Sequence, residues 1–139
     1  LGVARMIEVN EKNVKDATIL SNSAKGAVLS TKPYDPQVIG VVSRDAGIIL
    51  NSDGVQNGVP IISNGTVYIQ VSTQNGQIEK DDLLTTSTIP GVAIKADKDG
   101  YVLGSALEDY SNPDPKKTGV IAAELNLHYF NSKPPLVLR

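Results

Sequence analysis

Histidine is the side chain that most often carries acid–base or metal chemistry near neutral pH, and this chain of 139 residues has one, His128. It lies between Leu127 and Tyr129 in an alternating run that is typical of a strand. A zinc site would need further His, Cys or carboxylate ligands, and a Ser-His-Asp triad cannot be argued from one imidazole. We therefore predict that His128 is a surface or interface residue of a strand and not a catalytic group.

Two turns resemble fragments of calcium-binding loops, Asp97-Lys98-Asp99-Gly100 and Asn51-Ser52-Asp53-Gly54. Both supply side-chain oxygens at alternating positions and end in Gly, as calcium loops do. Neither continues to the terminal Glu of an EF-hand loop, and both are also ordinary Asx-Gly turns. We expect no metal site and no cofactor.

Nucleophilic and phosphate-binding motifs are missing from the sequence. Ser and Lys are abundant, but there is no Ser-x-x-Lys motif on a helix, no Gly-x-Ser-x-Gly elbow and no Gly-rich phosphate loop. No catalytic residue is predicted, and an enzyme, either a peptidase or a glycosidase, ranks third among the function classes considered below.

The composition of the chain limits the kinds of partner that it is expected to bind. The net charge is -2, with 13 basic and 15 acidic residues mixed along the chain, so nothing resembles the basic stripe that nucleic acid or anionic lipid would need. The apolar runs are far shorter than a membrane span, and we expect no membrane insertion. The chain has no Cys. It begins with Leu1 and not with Met, as expected of a processed form or a fragment of a longer protein.

Three short apolar runs, residues 27–29, 38–42 and 48–50, form the centre of the first half. Their Val and Ile content and their length favour strands over helices. The first break, Lys32-Pro33-Tyr34-Asp35-Pro36, contains two prolines that cannot donate a ladder hydrogen bond. The second, Arg44-Asp45-Ala46-Gly47, is a turn that ends in Gly.

The clearest hairpin signal is Asn64-Gly65, which separates the apolar runs 59–63 and 66–71. The dipeptide supplies the positive φ that both central positions of a type I′ turn require. The pattern predicts that these two runs pair with each other. Together with Thr66 the dipeptide also fits an N-glycosylation sequon, although the turn alone accounts for it.

The remaining sequence adds further strands and one short helical turn near residues 105–110. The predicted strands cover residues 3–9, 18–20, 83–86, 92–96, 101–107 and 120–130. Joined by Asx-Gly and Pro turns, they predict an all-β fold, a compact barrel or sandwich of about ten short strands.

The two halves of the chain echo each other. Gly26-Ala27-Val28-Leu29 and Val38-Ile39-Gly40-Val41-Val42 correspond to Gly91-Val92-Ala93-Ile94 and Val102-Leu103-Gly104-Ser105-Ala106. The glycines pair at offsets of 65 and 64 residues. Because a Gly inside a strand often marks a bulge or a sharp bend, we expect Gly40 and Gly104 at the corners of a small barrel. The echo predicts an internal pseudo-repeat, although β-rich chains also produce such matches by chance.

A series of motifs follows one another in a fixed order along residues 6–130: Leu29-Ser30-Thr31-Lys32-Pro33-Tyr34-Asp35, Val38-Ile39-Gly40-Val41-Val42-Ser43, Gly47-Ile48-Ile49-Leu50, Val59-Pro60, Asp82-Leu83-Leu84-Thr85-Thr86-Ser87, Pro90-Gly91-Val92-Ala93-Ile94-Lys95-Ala96 and Leu103-Gly104-Ser105-Ala106-Leu107-Glu108. This order resembles a β-rich domain that recurs near the C-termini of large bacterial surface proteins and in phage tail-fibre-like proteins, sometimes just before an intramolecular chaperone peptidase. The family usually has Pro-Gly-Asp and Gly-Asp where this chain has Val14-Lys15-Asp16 and Glu79-Lys80-Asp81. The resemblance implies a structural module that is extracellular, at a cell surface or on a virion, and it implies no catalytic residue.

Function is therefore predicted to be structural, in a filament, a pilus-like fibre or a phage-type fibre. We divide the chain into a terminal strand (residues 1–9), a β domain (10–130) and an extended tail (131–139). An apolar end strand without a partner in its own domain tends to pair with a neighbouring copy, giving a polymer or a trimer. The residues proposed for self-association are Leu1, Val3, Met6, Ile7, Leu136, Val137 and Leu138. The alternative is a module that binds a glycan or host receptor through loops 51–58 and 111–119.

Overall fold

A computed structural model describes residues 2–9, 11, 13–45, 48–50 and 58–133, and within these ranges the chain forms eleven strands and no helix. The strands are β1 (Val3–Glu8), β2 (Ile19–Ser23), β3 (Gly26–Leu29), β4 (Val38–Val42), β5 (Ile48–Leu50), β6 (Gly58–Ile62), β7 (Asn64–Val71), β8 (Leu83–Thr86), β9 (Ala93–Lys95), β10 (Gly100–Ala106) and β11 (Gly119–Phe130). The all-β prediction is confirmed, and the helical turn predicted near residues 105–110 is wrong. No described helix is long and apolar enough to cross a membrane.

The first six strands form one sheet in the order β3-β2-β4-β6-β1-β5. The sheet curls until Val9, just after β1, makes a parallel bridge with Ala27 of β3. We call β1, β2, β3, β4 and β6 the first barrel. The short β5 runs parallel to β1 at the edge of this sheet.

The last five strands close into a second barrel in the order β10-β11-β7-β9-β8. Closure occurs at one parallel bridge, between Val71 of β7 and Ala93 of β9. This bridge is the counterpart of the bridge between Val9 and Ala27, so both barrels are completed by a parallel contact between equivalent strands.

The two barrels repeat one pairing scheme, with β2, β3, β4, β6 and β1 of the first matching β8, β9, β10, β11 and β7 of the second. The register is repeated as well. Leu20 faces Gly40 in the first barrel, and Leu84 faces Gly104 in the second, each 64 residues later. The internal pseudo-repeat predicted from the sequence is thus present in the two five-stranded barrels.

Gly40 and Gly104 lie where the strands bend, as the sequence predicted. Both have positive φ, 155° and 139°, and both lie beside a register shift in a strand pair to which they belong. A side chain at Gly40 would meet the carbonyl oxygen of Ile62, and one at Gly104 would overlap that of Glu124. Only a residue without a Cβ allows the neighbouring backbone this close.

The turns that precede the matched strands β2 and β8 also repeat. Ala17 and Asp81 both adopt positive φ, 66° and 76°. Their N–H groups donate to the carbonyl oxygens of Val42 and Ala106, at 2.8 Å in both barrels. The chain therefore makes a left-handed turn at both places with a residue other than Gly, and this conformation costs free energy in a residue that has a Cβ.

The hairpin predicted at Asn64-Gly65 is wrong. β6 pairs with β1 and β4, whereas β7 pairs with β11 and β9. Gly65 does have positive φ, 101°, but the chain uses this point to pass from the first barrel into the second. A short polar break between apolar strands thus marks the boundary of the repeat.

The N-terminal strand has partners within its own chain. Residues Val3–Arg5 pair with β5, and residues Arg5–Glu8 pair with β6. The premise that this segment lacks a partner in its own domain is therefore wrong. Its role in contacts between copies stays a prediction.

Two hydrophobic clusters fill the molecule. One fills the first barrel and includes Leu20, Val42 and Ile61. The other fills the second barrel and also takes in residues from the outward-facing side of the first barrel, namely Ala4, Ile19, Val41 and Ile62. The outer wall of the first barrel is therefore buried against the second barrel.

Candidate interaction surface

The residues that the sequence singled out as candidates for chemistry make contacts within the fold. His128 pairs with Val102 across β10 and β11, and its Nδ1 lies 2.7 Å from the carbonyl oxygen of Asn126. Among the described residues no group of three or more His, Cys, Asp or Glu side chains is placed to hold a metal ion. The calcium-like turn at residues 51–54 lies outside the described residues.

The second calcium-like turn, residues 97–100, contacts the first half of the chain through Tyr34. The Tyr34 hydroxyl donates to Asp97 Oδ1 at 3.1 Å and accepts from the Asp97 N–H at 3.0 Å. Lys98 Nζ lies 5.3 Å from the centre of the Tyr34 ring. Hydrogen bonds from Asn75 and Tyr34 lower the pKa of Asp97, whereas burial raises the pKa of Tyr34. The turn thus serves to join the two halves.

A buried carboxylate holds the proline-rich turn, residues 32–36, beside this contact. Asp35 accepts hydrogen bonds from the Ser21 hydroxyl and from the Gln37 N–H, both at 2.8 Å. Its own N–H donates to Thr86 Oγ1 of the second barrel at 3.0 Å. With hydrogen bonds on both carboxylate oxygens, Asp35 is accounted for as a structural group at the seam between the barrels.

Loop 111–118 is held against the second barrel. The Ser72 hydroxyl donates to the carbonyl oxygen of Pro115 at 2.6 Å, and the Thr73 hydroxyl donates to that of Asn112 at 2.8 Å. Most of loop 51–58 lies outside the described residues. Binding of a glycan or receptor by these loops stays a prediction.

A large concave surface lies beside the N-terminal strand, with a volume of about 470 Å³. We call it the β1–β5 groove. It is lined by Val3, Ala4, Arg5, Leu50, Ile61, Ser63 and Asn64. Val3 is 55% exposed and Leu50 is 53% exposed, so part of the rim is apolar, beside exposed Arg5 and Asn64. Exposed apolar side chains with a polar border are typical of a surface that contacts another molecule.

A second apolar surface lies on the outer face of β7 and β11. Tyr68 is 65% exposed and Val120 is 55% exposed. Tyr68 lies directly opposite Ala122 and diagonal to Val120 on the same face of the sheet. We call these three residues the Tyr68 surface. Its edge is polar, because the Thr66 hydroxyl donates to Glu124 Oε1 at 2.9 Å.

The predicted self-association residues are only partly described. Val3 lies on the rim of the β1–β5 groove, and Met6 and Ile7 are half-buried in the interior of the first sheet. Leu1, Leu136, Val137 and Leu138 lie outside the described residues. Sequence reasoning missed Leu50 and Tyr68. An exposed apolar residue in a strand is signalled only by a break in alternation, which short strands do not reveal.

Comparison with known proteins relates this architecture to a phage protein. The crystal structure of a C-terminal fragment of bacteriophage phi29 gene product 12 matches with a TM-score of 0.63 and 10% sequence identity, over 89% of this chain and 99% of that one. No protein-family model and no curated protein matches the sequence. At this identity the match shows a shared fold, so the tandem-barrel architecture is one that a phage protein also uses.

Proposed function

We propose that this chain is a structural module of a phage-type or cell-surface fibre, that it acts by associating with copies of itself, and that it has no enzymatic activity. The observation that carries the proposal is the tandem-barrel fold, which it shares with the phi29 fragment over nearly the full length of both chains. The order of sequence motifs supports the same class of protein independently. Two exposed apolar surfaces supply what self-association requires.

Self-association is tested by sedimentation velocity and negative-stain microscopy of the purified chain over a wide concentration range. We expect a defined trimer or a polymer. A chain that stays monomeric at every concentration would contradict the proposal, and binding of a glycan by that monomer would favour the receptor-binding alternative.

The tail is proposed to take part through strand addition. Leu136 and Leu138 alternate with Val137, so a strand formed there would place both leucines on one face. Pro134-Pro135 favours an extended segment that projects from the end of β11. In β-augmentation, main-chain hydrogen bonds supply the affinity and alternate side chains fill pockets.

Deleting residues 136–139 tests this role without disturbing a described strand. We expect weaker assembly with an unchanged melting temperature. Deleting residues 1–9 is a poor test, because it would remove β1 from the interior of the first sheet. Point substitutions at exposed Val3 are the better probe at that end. If the chain that lacks residues 136–139 assembles as well as the unmodified chain, strand exchange through the tail is excluded.

A further inference from the structure

The duplication predicts how barrels of this kind contact each other. Within the chain, the outer wall of the first barrel is apolar and is buried against the second barrel, through Ala4, Ile19, Val41 and Ile62. The repeated register assigns the equivalent positions of the second barrel to Thr66, Leu83, Ser105 and Glu124. Those four residues are exposed or half-buried, and three of them are polar. The apolar contact between the two barrels of one chain therefore cannot be reproduced between two copies through these equivalent positions of the second barrel.

Two exposed apolar residues of the second barrel lie on the same face of the same two strands. Tyr68 comes two residues after Thr66 on β7, and Val120 comes four residues before Glu124 on β11. A large aromatic ring that is 65% exposed beside an exposed Val is a typical anchor of a protein interface. The Tyr68 surface is thus the part of the second barrel's outer wall best suited to contact another barrel.

The β1–β5 groove has the complementary chemistry. Its floor includes buried Ile61, and its rim carries exposed Val3 and Leu50. Arg5 lies opposite Leu50 on one side and Ile61 on the other, and its guanidinium makes no hydrogen bond or ion pair with any described residue. A cation that pairs with no described residue, beside the apolar side chains of a groove, favours a partner surface that carries a carboxylate.

We propose that the β1–β5 groove of one copy receives the Tyr68 surface of another copy, with Glu124 of the second copy facing Arg5 of the first. Tyr68 is flanked diagonally by Glu124, so one surface offers both the apolar anchor and the acid that the groove requires. The inference rests on the proposed self-association and names its contact. Because the two surfaces differ, the contact joins unlike faces of successive copies and generates a ring or a filament.

The first experiment compares two exposed tyrosines of similar accessibility. Tyr68→Ser removes the proposed anchor, and Tyr129→Ser, at a residue that is 67% exposed on β11, is the matched control. We expect Tyr68→Ser to raise the concentration at half-assembly by about tenfold or more, and Tyr129→Ser to change it by less than about twofold. Melting curves of both variants establish that they remain folded.

The second experiment reverses the charges. Arg5→Glu alone would place two carboxylates in the contact, and Glu124→Arg alone would place two cations there, so each variant should assemble less well than the unmodified chain. In an equimolar mixture the copies can alternate so that every groove meets an opposite charge. We expect the mixture to assemble at a several-fold lower concentration than either variant alone.

The outcomes separate this contact from self-association in general. If the chain assembles but Tyr68→Ser and Tyr129→Ser behave alike, or the mixed charge variants assemble no better than each alone, the proposed contact is wrong and self-association stands. If the unmodified chain is monomeric at every concentration, both proposals fail.

Discussion

The bends at Gly40 and Gly104 allow a sharp test of the tandem-barrel fold. Replacing either residue with Ala adds a single Cβ atom. At Gly40 that atom would lie 2.6 Å from the carbonyl oxygen of Ile62, and at Gly104 it would overlap that of Glu124. Both obstacles are backbone atoms in a neighbouring strand, which cannot turn aside as a flexible side chain could.

Two further glycines provide controls. Gly65 and Gly76 have positive φ, 101° and 100°, but a Cβ at either position would meet nothing within 4 Å. Substituting them with Ala should therefore cost only backbone strain, about 1–2 kcal/mol. At Gly40 and Gly104 the overlap adds about 1–3 kcal/mol, so their total cost should be about 2–5 kcal/mol.

Urea unfolding followed by circular dichroism measures these free energies, and thermal melting gives a second measure. For a chain of this size, 2 kcal/mol corresponds to about 7 °C in the melting temperature. If the Gly40→Ala and Gly104→Ala variants unfold no more readily than Gly65→Ala and Gly76→Ala, close backbone approach at the bends is not what requires glycine there.

Three other changes probe the seam between the barrels and the repeated turns. Asp35→Ala should lower the free energy of unfolding by about 2–4 kcal/mol, because the Ser21 hydroxyl and the Gln37 N–H lose their hydrogen-bond acceptor. Asp35→Asn keeps one acceptor oxygen and should lower the free energy of unfolding clearly less in the same urea titration. Because the pKa of Tyr34 is raised in the folded chain, its contribution to stability is complete below its unfolded pKa of 10.0 and is lost as pH rises through the folded pKa. In thermal melts above pH 10, Tyr34→Phe should therefore lose less stability than the unmodified chain. Equal losses would contradict this linkage. Asp81→Gly should raise stability by up to about 1 kcal/mol in chemical denaturation, because Asp81 is exposed and holds a positive φ that Gly adopts without strain, whereas a loss would mean that its carboxylate stabilises the turn.

The strands were predictable from the sequence because they are short, Val- and Ile-rich and separated by turns. β4, β5 and β8 were predicted with the bounds that the structure gives them. The repeat was predictable from Gly40 and Gly104, since a glycine inside a strand indicates a constraint on the backbone.

Strand pairing was harder to predict. Asn64-Gly65 has the composition of a hairpin turn, yet it connects two barrels, because β1 and β4 already pair with β6 and leave β7 to join β11. Such a competition between partners depends on the whole fold and not on the dipeptide. The exposure of Tyr68 and Leu50 depends likewise on which sheet face meets the other barrel, and this is fixed only when both barrels are assembled.

The shared hydrophobic cluster makes the two halves dependent on each other despite their common design. A chain cut between β6 and β7 would release a first half whose Ile19, Val41 and Ile62 face water, together with a second half that has lost part of its core. Neither fragment is expected to be a soluble domain alone, because each exposes apolar area that the other buries. The pair would instead behave as complementing fragments that fold on meeting.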